Sequence, residues 1–113
     1  MKIHPGDVDA VVERFGGTID VCTFGYDDAL QGQDVGIAVV LDSVDDATLG
    51  RLHEWTRRHL ATHQLPQRWY VLREIPRNAR GKVNRVTVAA TCASLEPVDV
   101  RRLLRSVRAS PDQ

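Results

Sequence analysis

The segment PRNARGKVNR, residues 76–85, contains the residues best suited to chemistry, because a lysine follows a glycine there. That lysine, Lys82, is one of only two in a chain with thirteen arginines. An ammonium on a flexible stem behaves as a compact point charge, and Gly81 can adopt the positive φ of a sharp bend. Lys82 is therefore suited to neutralising a phosphoryl group or a carboxylate; the plainer interpretation is a solvated turn lysine.

The Gly-Lys pair does not belong to a Walker-type phosphate loop. That motif needs a glycine five residues before the Gly-Lys pair and a serine or threonine after it. Pro76 and Val83 occupy those two positions. The segment therefore predicts a lysine presented by a polar, irregular loop, not a P-loop.

The cysteines and histidines do not predict a metal site. Cys22 and Cys92 lack metal-ligand spacing, and we interpret them as small buried side chains of a protein in a reducing compartment. His59 and His63 have the i, i+4 spacing of helical ligands, but no third ligand lies nearby in the sequence. A polar helix end is the favoured interpretation of the two histidines.

Length and composition indicate one globular domain with a modest core. The chain has 113 residues, of which 42% are hydrophobic and 27% charged, as is ordinary for soluble proteins. No apolar run approaches membrane-spanning length, and the first ten residues lack the apolar core of a signal peptide. We expect a cytoplasmic protein without a membrane partner.

The charge is divided unevenly along the chain. Residues 1–46 hold ten acidic and two basic residues, whereas residues 47–113 hold five acidic and thirteen basic ones. The arginines that suggest a basic face are Arg68, Arg73, Arg77, Arg80, Arg101, Arg102, Arg105 and Arg108. Such a face is compatible with nucleotide phosphates, nucleic acid, an acidic protein surface or a plainly solvated surface.

Nucleic acid is the least favoured of these partners. The obvious aromatic pair, Trp69-Tyr70, lies in a predicted strand, where neighbouring side chains point to opposite faces and cannot form one stacking platform. The sequence also contains no recognised nucleic-acid signature. We therefore expect no nucleic-acid partner.

Hydrophobic periodicity predicts seven elements in the order α-β-β-α-β-α-α. A first helix starts at Pro5 and stops at Gly16-Gly17, and strands follow at 18–26 and 34–42. A helix from about 45 to 62 leads to a third strand within 68–74, and Asn84 is the predicted N-cap of the next helix. Pro97 opens a last, amphipathic helix whose apolar stripe is Val100, Leu103, Leu104 and Val107.

These elements predict a small α/β (α+β) fold with a three-stranded sheet flanked by helices. The continuous apolar run of residues 34–42 is typical of a central strand buried on both faces. The predicted buried side of the following helix is Leu49, Leu52, Thr56 and Leu60, with Trp55 at its margin.

Two segments resemble the C-terminal domain of the adenylate-forming superfamily, which comprises acyl- and aryl-CoA synthetases, peptide-synthetase adenylation domains and luciferases. The family has a Leu-Pro pair, a strand and then a segment of the type Pro-Lys/Arg-Thr/Asn-x-x-Gly-Lys-Ile/Val-x-Arg. The matching residues are Leu65, Pro66, Pro76, Arg77, Asn78, Gly81, Lys82, Val83 and Arg85. Upstream, KIHPGDVDAVV resembles the family's helix start, with Asp7 and Asp9 in place of the usual glutamates, and the resemblance extends over about residues 2–92.

The resemblance implies that Lys82 corresponds to the family's catalytic lysine. That lysine offsets the charge that develops when a carboxylate attacks the α-phosphate of ATP and releases pyrophosphate. Positioning of the loop is implied for Pro76, Asn78, Gly81 and Arg85. Arg77 and Arg80 are candidates for contacts with phosphate or a partner, and solvent is the open alternative for both.

The resemblance also implies a missing partner. The family's large N-terminal domain, which binds ATP, magnesium and the acid, has no counterpart in these residues. We therefore expect ATP and magnesium to be held mainly by a separate large adenylation subunit, and we expect this chain to be inactive alone. A carrier protein or CoA is a candidate partner for a following thioester step.

Two functions remain open. The chain is a lid subunit of a split acid-activating ligase, or it is a non-catalytic interaction or regulatory module derived from that domain. We assign residues 1–94 to the family-like domain and residues 95–113 to an additional C-terminal helix and tail. That helix either offers a docking surface or folds back on the domain's own core.

Overall fold

The structure is a computed structural model that describes residues 3–28 and 32–99. Within these residues the main elements follow the order α-β-β-α-β-α, which confirms the first six predicted elements. They are α1 (Pro5–Glu13), β1 (Thr18–Asp28), β2 (Gly32–Leu41), α2 (Asp46–His59), β3 (Arg68–Val71) and α3 (Arg85–Cys92), with a 3₁₀ turn at Thr62–Gln64. The seventh predicted element, the helix after Pro97, lies largely in residues 100–113, outside the described residues.

The described strands form a mixed sheet in the order β1-β2-β3. β1 pairs with β2 in the antiparallel sense, and β3 pairs with β2 in the parallel sense, after the crossover through α2. Every residue from Asp34 to Leu41 is buried. The prediction of a central strand covered on both faces is confirmed, and the fold is α+β.

Helices cover both faces of the sheet because the side chains of β2 alternate between two hydrophobic cores. Ile37 and Val39 point towards α1 and α2, whereas Ala38 and Val40 point towards α3. The α1–α2 core consists of Val8, Val12, Val21, Ile37, Val39, Leu41, Leu49, Leu52, Leu60 and Trp69. The α3 core consists of Cys22, Phe24, Ala38, Val40, Tyr70, Ile75, Val88 and Cys92.

The division into two cores confirms two predictions about side chains. Trp69 belongs to the α1–α2 core and Tyr70 to the α3 core, and both are buried, so they do not form a stacking platform. Cys22 and Cys92 are buried free thiols in the α3 core. Burial raises the pKa of the Cys22 thiol to about 11, so this thiol stays protonated at neutral pH.

Side-chain caps set the starts of two helices. The carboxylate of Asp45 accepts a hydrogen bond from the Thr48 N–H at the start of α2, and the side chain of Asn84 accepts from Val86 and Thr87 at the start of α3, as predicted. α2 ends at His59, earlier than predicted, because Leu60 adopts an extended conformation that keeps its side chain in the α1–α2 core. Within the described residues, no helix has the length and apolarity needed to span a membrane.

Candidate functional site

The Gly-Lys segment forms a tight β-hairpin, so the predicted irregular loop was wrong. Arg77 and Val83 pair as an isolated antiparallel bridge. The Asn78 N–H donates to the Lys82 carbonyl at 2.9 Å, and the Gly81 N–H donates to the Asn78 carbonyl at 2.9 Å. This pattern is that of a three-residue hairpin loop closed by a bulge residue with positive φ. We call residues 77–83 the lysine hairpin.

Asn78 and Gly81 define the turn at the tip of the lysine hairpin. The Asn78 Oδ1 accepts hydrogen bonds from the Arg80 N–H at 2.9 Å and from the Lys82 N–H at 3.0 Å. Gly81 has φ +82°, and a Cβ there would meet nothing within 4 Å, so the requirement for glycine comes from the backbone and not from space. Asn at the first position of a turn with Gly at its fourth is the signal that the sequence interpretation missed.

Lys82 leaves the hairpin towards solvent. Its neighbour Val83 is half-buried and packs against the α3 core, and alternation along a strand directs the Lys82 side chain away from it. Lys82 is exposed, and among the described residues no hydrogen bond or ion pair engages its ammonium. The ammonium is therefore available to a negative charge brought from outside.

Flanking residues fix the base of the hairpin. Before it, Ile75 is buried in the α3 core and Pro76 is half-buried. After it, Asn84 caps α3 directly behind Val83, so the chain passes from hairpin to helix without a linker. The positions of Pro76, Asn78 and Gly81 agree with a positioning role, which stays a prediction.

Arg77 and Arg80, which the sequence could not distinguish, have different environments. The Arg77 guanidinium donates from Nη2 to Asp20 Oδ2 at 2.6 Å and from Nη1 to the Gly81 carbonyl at 3.1 Å. Arg80 is exposed, and only its backbone N–H is hydrogen-bonded within the described residues. Arg77 thus links the hairpin to β1, whereas the Arg80 side chain is directed to solvent.

Arg85 holds the helix that follows the hairpin. Its Nη1 donates to Asp9 Oδ2 at 2.7 Å and to the Thr23 carbonyl at 2.9 Å, and Asp9 Oδ1 accepts from the Thr23 N–H at 2.8 Å. These bonds connect α1, β1 and α3, and they occupy both backbone groups of Thr23 at the open edge of β1. The roles of Asp9 and Asp20 as arginine partners were not predicted, because both contacts join distant parts of the sequence.

A shallow depression of about 440 Å³ lies at the foot of the lysine hairpin. It is lined by Ile19, Asp20, Val40, Arg73, Glu74, Ile75, Pro76 and Arg77. In the part of the chain that the structure describes, no three His, Cys, Asp or Glu side chains form a cluster suited to a metal ion. The depression is an open surface that carries two carboxylates and two guanidinium groups, so its own charges balance.

Comparison with known proteins supports the resemblance derived from the motifs. The family model of the AMP-binding enzyme C-terminal domain matches residues 7–82, from the first turn of α1 to Lys82. The chain is 30% identical over 92 residues to oxalate–CoA ligase of Saccharomyces cerevisiae, an alignment that covers 81% of this chain and 17% of that protein. It is 34% identical over 85 residues to 4-chlorobenzoate–CoA ligase of Pseudomonas sp., with 74% and 16% coverage.

Solved structures give the same result for the fold. o-Succinylbenzoate CoA synthetase from Bacillus subtilis superimposes with a TM-score of 0.69 at 26% identity, covering 77% of this chain and 18% of that one. Amide bond synthetase from Marinactinospora thermotolerans gives a TM-score of 0.70 at 26% identity, with 79% and 18% coverage. The chain thus spans less than a fifth of the length of these relatives.

Proposed function

The chain belongs to the family of AMP-binding enzyme C-terminal domains, and on that premise we propose that it is the lid of a carboxylate-adenylating ligase. In this proposal it docks on a separate large subunit and inserts Lys82 into that subunit's active site. The observation that carries the proposal is an exposed ammonium, unpaired within residues 3–28 and 32–99, on a hairpin whose backbone is fixed by internal hydrogen bonds.

The proposed reaction is formation of an acyl-adenylate. A carboxylate oxygen of the acid attacks the α-phosphorus of ATP, a new P–O bond forms, and the bond to pyrophosphate breaks. Negative charge accumulates on the phosphoryl oxygens and is spread between the entering and leaving groups. Lys82 would place its ammonium beside that charge and would keep its proton, so its contribution is positioning and electrostatic stabilisation.

This chain spans a small share of the length of its relatives, and we propose that a separate large partner supplies the remainder. We propose that the partner holds ATP, magnesium and the acid, and that the acyl group passes to CoA or to a carrier protein in the cytoplasm. A separate lid lacks the effective concentration, in the millimolar range, that a short tether provides. The docking contacts must supply the corresponding free energy.

The test is reconstitution of the pair. The chain would be mixed with a large adenylation subunit that lacks its own C-terminal domain, and adenylation would be measured by ATP–pyrophosphate exchange. We expect Lys82→Ala to lower kcat by about a hundredfold to a thousandfold, the range for removing one transition-state donor. Binding of the two subunits should be retained, because the Lys82 ammonium makes no hydrogen bond or ion pair with the residues that the structure describes.

The matched control is Arg57→Ala, which removes an exposed cation of α2 that pairs with Glu54 and lies in another element. It should leave exchange unchanged. Full adenylation with Lys82→Ala in a stable complex would overturn the catalytic role and favour the alternative, a non-catalytic interaction module.

A further inference from the structure

We propose that Asp20 and Arg77 form a clamp that positions the tip of the lysine hairpin, and hence Lys82, for the reaction. The inference deepens the proposed function and depends on it for its catalytic consequence. The clamp consists of two hydrogen bonds from one guanidinium: Nη2 to the Asp20 carboxylate and Nη1 to the carbonyl of Gly81, the residue before Lys82.

The sheet is locally distorted where the clamp is anchored. The pairing of β1 with β2 passes from Thr18↔Leu41 to Asp20↔Val40, so β1 carries one extra residue, Ile19, at this point. Ile19 is 64% exposed, as expected of a residue expelled from the ladder. Such bulges redirect neighbouring side chains and occur often beside active sites.

After the bulge, the side chains of β1 again alternate between the two faces of the sheet. This alternation places Asp20 on the same face as the lysine hairpin. Cys22 and Phe24 belong to the α3 core, and Asp20 shares their face by the two-residue period of a strand. Val83 of the hairpin packs against the same core. The carboxylate and the hairpin therefore meet at one end of the α3 face.

The chemistry of the guanidinium explains why arginine is suited to this position. Its planar fork donates from two nitrogens in fixed directions, so it can bridge the Asp20 carboxylate and the Gly81 carbonyl at once. The Gly81 carbonyl belongs to the peptide bond shared with Lys82. Movement of that peptide would change the direction in which the lysine stem leaves the backbone.

The clamp should affect geometry more than global stability. The side chains of Arg77 and Asp20 are 45% and 30% exposed, and exposed ion pairs contribute little to folding. A small displacement of a catalytic group, in contrast, can lower a rate by about a hundredfold. A positioning role therefore predicts a loss of kcat without a matching loss of stability.

The first experiment uses the chain alone, so it does not depend on the proposed function. Hydrogen exchange of the Gly81 and Lys82 amides would be followed by NMR in Arg77→Ala, Arg77→Lys, Asp20→Asn and the double variant Asp20→Asn/Arg77→Ala. We expect acceleration of up to about fivefold, the range set by an exposed ion pair, and no further acceleration in the double variant. Arg57→Ala, which breaks the exposed Arg57–Glu54 pair of α2, is the matched control and should leave both amides unchanged.

The second experiment uses the reconstituted pair. Arg77→Ala and Asp20→Asn should each lower kcat by about tenfold to a hundredfold with little change in KM for ATP. Arg77→Lys should not rescue kcat, because a single ammonium cannot reproduce both bonds of the fork. Rescue by lysine would show that only the charge matters and would overturn the clamp.

The two proposals fail in distinguishable ways. Unchanged amide exchange, or exchange effects of Asp20→Asn and Arg77→Ala that simply add, would overturn the clamp whatever the activity of Lys82→Ala. Coupled acceleration of exchange together with full activity of Lys82→Ala would support the clamp as a structural device and overturn the catalytic proposal.

Discussion

Lys82 and Arg85 lie on either side of the junction between the lysine hairpin and α3, and the protein uses their charges in opposite ways. Arg85 donates to a carboxylate and to a backbone carbonyl, and its partner Asp9 has a side chain that is only 13% exposed. Lys82 is exposed, and its ammonium has no partner among the described residues. The guanidinium of Arg85 is used in internal hydrogen bonds, whereas the exposed ammonium of Lys82 can interact with a charge brought from outside.

The difference follows from what each side chain can do. A guanidinium satisfies several acceptors in fixed directions, which suits it to joining α1, β1 and α3. An ammonium on a flexible stem is a point charge that can follow a moving target. Arg77 follows the pattern of Arg85, since its guanidinium also bridges a carboxylate and a carbonyl. The position of a cation along the motif does not by itself predict whether its side chain is engaged in internal hydrogen bonds or exposed to solvent.

Replacing the held cation should produce the largest change in stability. Arg85→Ala leaves Asp9 Oδ2 without its donor and removes the guanidinium bond to the carbonyl of Thr23. Loss of a charged hydrogen bond of this kind costs about 2 kcal/mol of unfolding free energy. Lys82→Ala should change that free energy by less than about 0.5 kcal/mol, as is usual for a surface substitution. Urea denaturation of both variants measures the difference in unfolding free energy. Equal losses of unfolding free energy would contradict the distinction between Arg85 and Lys82.

Asp9→Asn tests the same connection from its other end. The substitution keeps the shape of the side chain and one acceptor oxygen but removes the charge that faces Arg85. We expect a loss of stability smaller than that of Arg85→Ala. A neutral result for both variants would mean that the network contributes nothing measurable to the fold.

The turn that presents the free cation should show the next largest effect. Gly81→Ala places a Cβ on a residue with φ +82°, which costs about 1 kcal/mol even though the surrounding space is open. Gly81→Asn should cost less, because asparagine tolerates this region of the backbone map. The matched control is Gly6→Ala in α1, where open space and a helical backbone predict a gain in stability. A gain at Gly81 as well would disprove the strained turn.

The sequence was sufficient for the architecture but not for the connections around the site. Apolar periodicity and the Asn84 cap predicted the first six elements and the burial of the central strand, because those features depend on neighbours in sequence. The Gly-Lys motif indicated Lys82 as the candidate catalytic residue by resemblance, and that role stays a prediction. The partners Asp9 and Asp20 were not predicted, since each meets its arginine across at least 57 residues of chain and only the folded sheet brings them together.

His53 sharpens the comparison as a basic group whose charged form the fold disfavours. Its Nδ1 is buried and has no hydrogen-bond partner in the described part of the chain, and the ring meets the edge of Trp69 with centroids 6.1 Å apart. Burial, followed by repulsion from Arg57, lowers the pKa of His53 below its ordinary value of 6.5. Below that value the unfolded chain binds a proton that the folded protein resists, so the free energy of unfolding should decrease as the pH falls.

The expected effect of His53 on stability is the smallest of the series. It appears in how steeply the unfolding temperature changes with pH, and not as a loss of stability at neutral pH. Thermal melts between about pH 7 and pH 5 should show a steeper decline for the natural chain than for His53→Gln, which has no proton to bind. Arg57→Ala should flatten the slope in part, because it removes the second cause of the depressed pKa while leaving the first. If the unfolding temperatures of His53→Gln and of the natural chain declined in parallel, the folded protein would accept a proton on His53 as readily as the unfolded chain does. The environment of this half-buried side chain would then not disfavour a positive charge.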